Sequence, residues 1–367
     1  MTRREMAVTS LGAISALNAD TLPEARFDPV EYSRQRHKNA PLRYRFNATT
    51  PAAARVWQRK LRLKVKDLVG GWPEVAVPLK PRVLETKDFD TYTREKIVFT
   101  SREGMEVFGY LLKPKTVAGA QPVMICVPGH GRGVDDIVGI DEKGVQRTNK
   151  AGYQADFALQ FVEQGLAAFA IEPLAFGHRR DPINAAKGPG NNSCQPSAGA
   201  ALLFGETMIG WRAYDVMRTI DYIETRKDLD ARRVGCVGIS GGGTCTLFAA
   251  ALDTRIQAAM VSGYLNTFRD CILSLAHCMD NYVPGILNWA EMSDVAGLIA
   301  PRPLFAETGE QDRIFPLEGF REAYDATRKV YAVFGVADAM GMEVHPGAHS
   351  FHGVKGVPFI AKYLKEM

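Results

Sequence analysis

The chain has 367 residues, 46% hydrophobic and 23% charged, proportions of an ordinary soluble globular protein that exclude a disordered, collagen-like or coiled-coil chain. Its net charge of +4 is unevenly spread: residues 1–66 carry 14 Lys/Arg against 5 Asp/Glu, so a basic front end precedes a mildly acidic body. No run reaches the roughly 18 unbroken apolar residues of a membrane-spanning helix, since even residues 159–176 are interrupted by Gln160, Glu163, Gln164 and Glu172.

Thr2-Arg3-Arg4-Glu5-Met6 followed by the weakly apolar Ala7 to Leu17 resembles a twin-arginine export signal over residues 1–19, which predicts a periplasmic or secreted location. The apolar run is short and holds Thr9, Ser10 and Ser15, so an ordinary N-terminus and a cytoplasmic location is the competing reading. Residues 20–91 show no strand alternation and contain an amphipathic stretch around Ala52 to Val69; they are expected to form a basic helical extension packed on the main domain. Arg55, Arg59, Lys60, Arg62, Lys64 and Lys66 in that stretch fit a solvated helix face. No nucleic-acid motif accompanies them, so neither nucleic acid nor membrane is an expected partner.

From residue 92 the pattern changes. Two β-rich runs, Glu95 to Ser101 and Met105 to Lys113, flank Arg102-Glu103-Gly104 and predict a hairpin. Apolar strands at Val123–Val127, Ala167–Ile171, Val234–Ile239, Ala258–Ser262, Pro303–Glu307 and Met342–His345 then alternate with helical stretches around 153–164, 206–226, 242–251, 317–330 and 357–365. Uninterrupted apolar strands joined by helices require a sheet covered on both faces. The expected fold class is therefore α/β, a mostly parallel, doubly wound sheet over residues 92–367, with residues 265–298 as an irregular cap or loop insertion. The six cysteines, at 126, 194, 236, 245, 271 and 278, show no pair with the two-to-four-residue gap of a zinc knuckle, so no metal is expected.

Between the strand ending at Ile239 and the next helix lies Gly238-Ile239-Ser240-Gly241-Gly242, a G-x-S-x-G sequence in the strand–turn–helix setting that gives it meaning. Glycines are needed there because the turn is too sharp for side chains and because the serine must take a strained conformation to project its Oγ at the sheet edge. Ser240 is the candidate nucleophile. A serine hydroxyl needs a base to accept its proton and a third group to orient that base. Asp312, in the loop after strand 303–307, is the candidate acid ahead of Glu307, which the strand holds, and Glu310 in the turn. Of His345, His349 and His352, the candidate base is His349, which follows a Pro-Gly turn. The oxyanion would be met by the backbone N–H of Gly241 and by one from Gly131 or Arg132 in Pro128-Gly129-His130-Gly131-Arg132-Gly133. A phosphate-binding loop is the competing reading of that stretch, but it lacks both the Lys-Ser/Thr ending of a P-loop and the dinucleotide spacing.

With these motifs, in the order Ser240, Asp312, His349, the chain from about residue 92 resembles the α/β-hydrolase superfamily, and within it the dienelactone-hydrolase-like and acetyl-xylan-esterase-like branches. Val237-Gly238-Ile239-Ser240-Gly241-Gly242-Gly243, Gly309 to Pro316 and Gly347-Ala348-His349-Ser350-Phe351 carry that likeness, with Gly210 to Asp215 as a weaker feature. Dienelactone hydrolases use a cysteine nucleophile where Ser240 stands here, so the resemblance implies a serine esterase acting through an acyl-enzyme, without cofactor or metal. The expected partner is a small-molecule ester such as an acylated carbohydrate, contacted by His130, His178, Arg179, Tyr264, Trp289 and His352. A prolyl-oligopeptidase-like peptidase and a catalytically inactive binding protein are the alternatives. The peptidase usually carries a propeller, which the roughly 90 residues before the core cannot build.

Overall fold

A computed structural model describes residues 28–150 and 152–367; the export-signal reading of residues 1–19 lies outside them. Residues up to 39 group apart from residues 40–367. In the first unit, Pro29–Lys38 is a helix opened by Asp28, whose carboxylate accepts the N–H groups of Val30 and Glu31. None of its residues is buried.

Nine strands form one sheet in the order β1-β2-β3-β5-β4-β6-β7-β8-β9. They are β1 (Arg82–Asp88), β2 (Tyr92–Arg102), β3 (Met105–Pro114), β4 (Gln121–Val127), β5 (Ala167–Ile171), β6 (Leu229–Ile239), β7 (Ile256–Ser262), β8 (Leu304–Gly309) and β9 (Met340–His345). The first three run antiparallel and β3 pairs antiparallel with β5, while β5, β4, β6, β7, β8 and β9 are mutually parallel. Strand periodicity divides the interior in two. Val123, Ile125 and Val127 of β4 join one core with helices Pro51–Leu68, Met208–Glu224, Gly241–Leu252, Met292–Gly297 and Leu317–Val333. The alternate residues Met124 and Cys126 join the other with Phe157–Glu163 and Gly356–Glu366. The mostly parallel, doubly wound α/β sheet expected from the alternating strands is thus the observed one.

The extension departs from the wholly helical expectation. Helix Pro51–Leu68 is present, opened by Thr50, whose Oγ1 accepts the Ala53 N–H at 3.3 Å. Such a cap contributes about 1 kcal/mol, whereas burying Trp57, Leu61 and Val65 contributes roughly 1.5–3 kcal/mol each, so packing rather than propensity holds the helix. Residues 82–88, however, form β1, paired with β2. All seven of its residues are exposed and four are charged, which suits a sheet edge that must not recruit another strand and hides the apolar alternation by which strands are read. The basic face is also not simply solvated: Arg62 Nε and Nη2 donate to the carbonyls of Ala251 and Leu298 at 2.8 and 2.9 Å.

Register sets the site. Val127 pairs with Gly238, Ile239 with Ser262, Ser262 with Glu307 and Gly309 with His345, so the carboxyl ends of β4, β6, β7, β8 and β9 lie along one edge. The chain leaves β4 towards β5 on one side and returns to β6 on the other, and a crevice opens outside the strand ends at such a switch point.

Candidate active site

Ser240 occupies the turn between β6 and helix Gly241–Leu252 with φ 56° and ψ −123°, a conformation costing on the order of 1–3 kcal/mol that persists only when its surroundings enforce it. They do so here: Ser240 N–H donates to Ser262 O at 3.0 Å, and Thr244 N–H returns to Ser240 O at 2.9 Å. A Cβ on Gly242 would drive into the carbonyls of Val127 and Pro128, so only glycine lets the helix start this close to β4. Gly241 is the first helical residue, and its N–H therefore has no partner within the helix.

Asp312 follows β8 and its side chain is fully buried. Its Oδ1 accepts the N–H groups of Ile314 and Phe315 at 2.8 and 3.0 Å. Its Oδ2 lies 2.7 Å from His349 Nδ1. That bond places the proton of a neutral imidazole on Nδ1 and leaves Nε2 as the acceptor, and Nε2 is buried without a hydrogen-bond partner. The ring is held between Tyr153 and Phe315, with centroids 5.8 and 5.6 Å away. Beneath it, a Cβ on Gly263 would come within 2.8 Å of His349 Cε1.

Ser240 and His349 line one cavity of about 550 Å³ with His130, Tyr153, Asn281 and Phe315. Leu275, Ala276, His277, Cys278 and Ile314 complete its wall. Apolar walls with a few convergent polar groups are the usual form of a small-ligand site. Glu307 and His345, the rejected rivals, are engaged elsewhere. Glu307 is buried in β8 and accepts from Ser262 Oγ and the N–H groups of His352 and Gly353, while His345 contacts the Pro346 and Ser350 carbonyls.

Other expected residues fall away from the cavity. The Arg132 N–H is already engaged, donating to Asp136 Oδ2 at 2.8 Å, while His130 of the same loop lines the cavity. His178 is half-exposed and pairs with Asp135 at 3.3 Å. Arg179 is spent on the buried Asp215 at 2.7 Å and on the Glu172 carbonyl. Trp289 packs at a tilt against Tyr44, with the cations of Arg43 and Lys64 over its ring. Tyr264 is buried behind Phe315. His352 stacks on His345 and sits 3.2 Å from Glu343. His130 alone among the six substrate candidates lines the cavity.

The irregular segment after β7 was expected as a cap or loop over the crevice, but only its aromatics Tyr264 and Trp289 were singled out, and not 275–278 and Asn281, which form the wall. Asn281 is tied to the elbow helix by Thr244 Oγ1, which donates to its Oδ1 at 2.7 Å. Behind the wall, Asp280 and Arg212 form a buried pair at 2.5 Å; burial pushes the Asp280 carboxyl up, but the guanidinium charge outweighs it and holds the group at about 2. The Cys278 thiol is drawn below its ordinary range, chiefly by its hydrogen bond with Cys194.

A parallel sheet whose strand ends present a strained serine, a carboxylate-bound histidine and a free helix N-terminus over one cavity defines an α/β-hydrolase. The family model Abhydrolase_7 (Abhydrolase family) matches residues 34–333, and the chain belongs to this family. It is 26% identical over 315 residues to "Putative hydrolase YtaP" of Bacillus subtilis, covering 83% of this chain and 98% of that protein. Among solved structures, it is similar to a "putative acetyl xylan esterase" from Bacteroides fragilis, with TM-score 0.75, 21% identity and coverage of 88% of this chain and 83% of the other. A glucuronoyl esterase from Solibacter usitatus matches with TM-score 0.64 and 17% identity, over 88% and 96% of the two chains.

Proposed function

We propose that the protein is a serine hydrolase of carboxylic esters, with Ser240 as nucleophile, His349 as base and Asp312 as the group that orients it. The observation that carries this reading is the buried, unpartnered Nε2 of His349, in the cavity that Ser240 also lines, on a ring whose other nitrogen is bound to Asp312. Ser240 Oγ attacks the ester carbonyl as its proton passes to Nε2, and Asp312 stabilises the imidazolium. The negative charge developing on the carbonyl oxygen is met by the Gly241 N–H and by an N–H from the His130–Gly131 stretch. The imidazolium then protonates the departing alcohol, and water, activated by the same nitrogen, releases the acid from Ser240.

An acylated or uronic-acid carbohydrate ester is the favoured substrate class. Solved relatives of this architecture bear the names acetyl xylan esterase and glucuronoyl esterase, and a 550 Å³ cavity has room for a sugar-sized group. The peptidase reading has less support: before residue 92 the described residues contain a single strand, β1, not a propeller. The test is hydrolysis of p-nitrophenyl acetate, butyrate and octanoate, acetylated xylose oligomers and a methyl glucuronate ester by wild type and Ser240→Ala. Activity on at least one ester that disappears in the variant is expected; a folded wild type inert on all of them would overturn the reading.

A further inference from the structure

The wall of the cavity holds a second constellation that the ester chemistry does not use. One ligand-type atom each from His130, Cys194, Cys278 and Asp280 lies within 4.8 Å of all the others. Cys194 Sγ is 3.8 Å from His130 Nε2 and 3.3 Å from Asp280 Oδ2, and His130 Nε2 is 3.5 Å from the same Asp280 oxygen. Around a tetrahedral zinc ion with Zn–S near 2.3 Å and Zn–N or Zn–O near 2.0–2.2 Å, neighbouring ligand atoms stand about 3.3–3.8 Å apart. The His130, Cys194 and Asp280 atoms already have that spacing and Cys278 lies within 4.8 Å of them, on side chains of the types that a mixed sulfur, nitrogen and oxygen site selects.

The geometry points to a zinc site, Cys194-Cys278-His130-Asp280, built into the wall of the cavity. Its outer contacts are in place. Arg212 Nη1 donates to Asp280 Oδ2 at 2.5 Å and Nη2 to Cys194 Sγ at 3.3 Å, while Asn281 Nδ2 donates to Asp280 Oδ1 at 2.9 Å. Such bonds orient ligands and leave lone pairs for the ion. The charges also balance: two thiolates and one carboxylate offset Zn²⁺ and the Arg212 guanidinium. Binding sends to solvent whatever protons the two thiols still carry and forms two Zn–S bonds, with no change of oxidation state.

Four protein ligands make this a closed, structural site. It joins three segments: the loop after β4, the start of helix Cys194–Leu203, and the turn Met279–Asn281. The ion staples the irregular segment that walls the cavity to the body of the domain. Local spacing concealed it, because only Cys278 and Asp280 are near one another in the chain.

The test uses the full-length chain, reduced and stripped of metal, titrated with Zn²⁺ against a chromophoric chelator, with Cd²⁺ as a spectroscopic probe of thiolate ligation. One Zn²⁺ per chain, a Cd²⁺–thiolate charge-transfer band and a higher melting temperature with Zn²⁺ are expected. Cys194→Ser and Cys278→Ser should each weaken binding by at least about 100-fold, more than loss of an outer contact does. Cys278→Ser changes a partly buried side chain, and circular dichroism checks its folding; the Cd²⁺ band on wild type remains decisive if Cys194→Ser fails to fold. No uptake by the folded, reduced wild type, or uptake undiminished in folded Cys278→Ser, overturns the site. So does a Cys194–Cys278 disulfide that, once reduced, still binds no metal.

Discussion

At the elbow after β6, five consecutive residues, Gly238 to Gly242, generate the site's geometry by local sterics. The wall facing it assembles His130, Cys194, Cys278, Asp280 and Arg212 from four separate stretches of chain, held by a buried ion pair. A Cβ on Gly242 collides with backbone carbonyls that cannot move, so the elbow tolerates one solution. The wall depends instead on polar partners arriving together, and each of them is costly to leave alone in the interior. Chemistry that needs one rigid atom is encoded locally, whereas a surface that shapes a cavity is encoded by the fold.

This contrast breaks first at the elbow and its base. His349→Ala is expected to lower ester turnover by about four orders of magnitude or more, as in other triads, while His352→Ala, held on Glu343 outside the cavity, leaves turnover near wild type. Steady-state kinetics on p-nitrophenyl acetate decide this, and the reverse pattern would move the base to His352. In the wall, Arg212→Met strands the Asp280 carboxylate and should cost about 3–5 kcal/mol of stability, read from urea unfolding. A loss below that of a surface substitution would mean the pair does not organise the wall. Gly242→Ala should cost about 1–3 kcal/mol by overpacking, with turnover falling as Ser240 is displaced; an unchanged urea midpoint and rate together would refute the steric account.

The smallest effect is a pH slope. Glu172, at the end of β5, accepts the N–H groups of Val134 and His178 at 3.2 Å each and so ties the loops after β4 and β5. Burial pushes its carboxyl up to about 7, only partly opposed by His178. A carboxyl raised on folding binds its proton more tightly in the native state, so its contribution is full below the unfolded value of about 4.3 and declines as pH rises through 7. Melting temperatures between pH 5 and 8 should fall less steeply in Glu172→Gln than in wild type; parallel curves would assign the slope to other groups.

Much of the fold was legible in the residues because buried parallel strands write themselves as unbroken apolar runs. The strand Ala167–Ile171 matches its expected limits, and β4, β6, β7, β8 and β9 differ only at their ends. β1 was illegible because an exposed, charged edge strand has no apolar face to show. Ser240, Asp312 and His349 could be nominated from the residues because each sits just past a strand end in a short turn, where local sequence dictates direction. Trp289 and Arg179 misled because an aromatic or a cation in a loop looks like a ligand contact until its partners, Tyr44 and Asp215, are known. Sequence by itself thus determined the parallel sheet and the glycine-flanked elbow, and nominated Ser240, Asp312 and His349, since backbone sterics and strand periodicity act over a few residues. Only the tertiary structure decided which side chains wall the cavity and that His130, Cys194, Cys278 and Asp280 meet, because those contacts depend on strand register and on packing between segments distant in the chain.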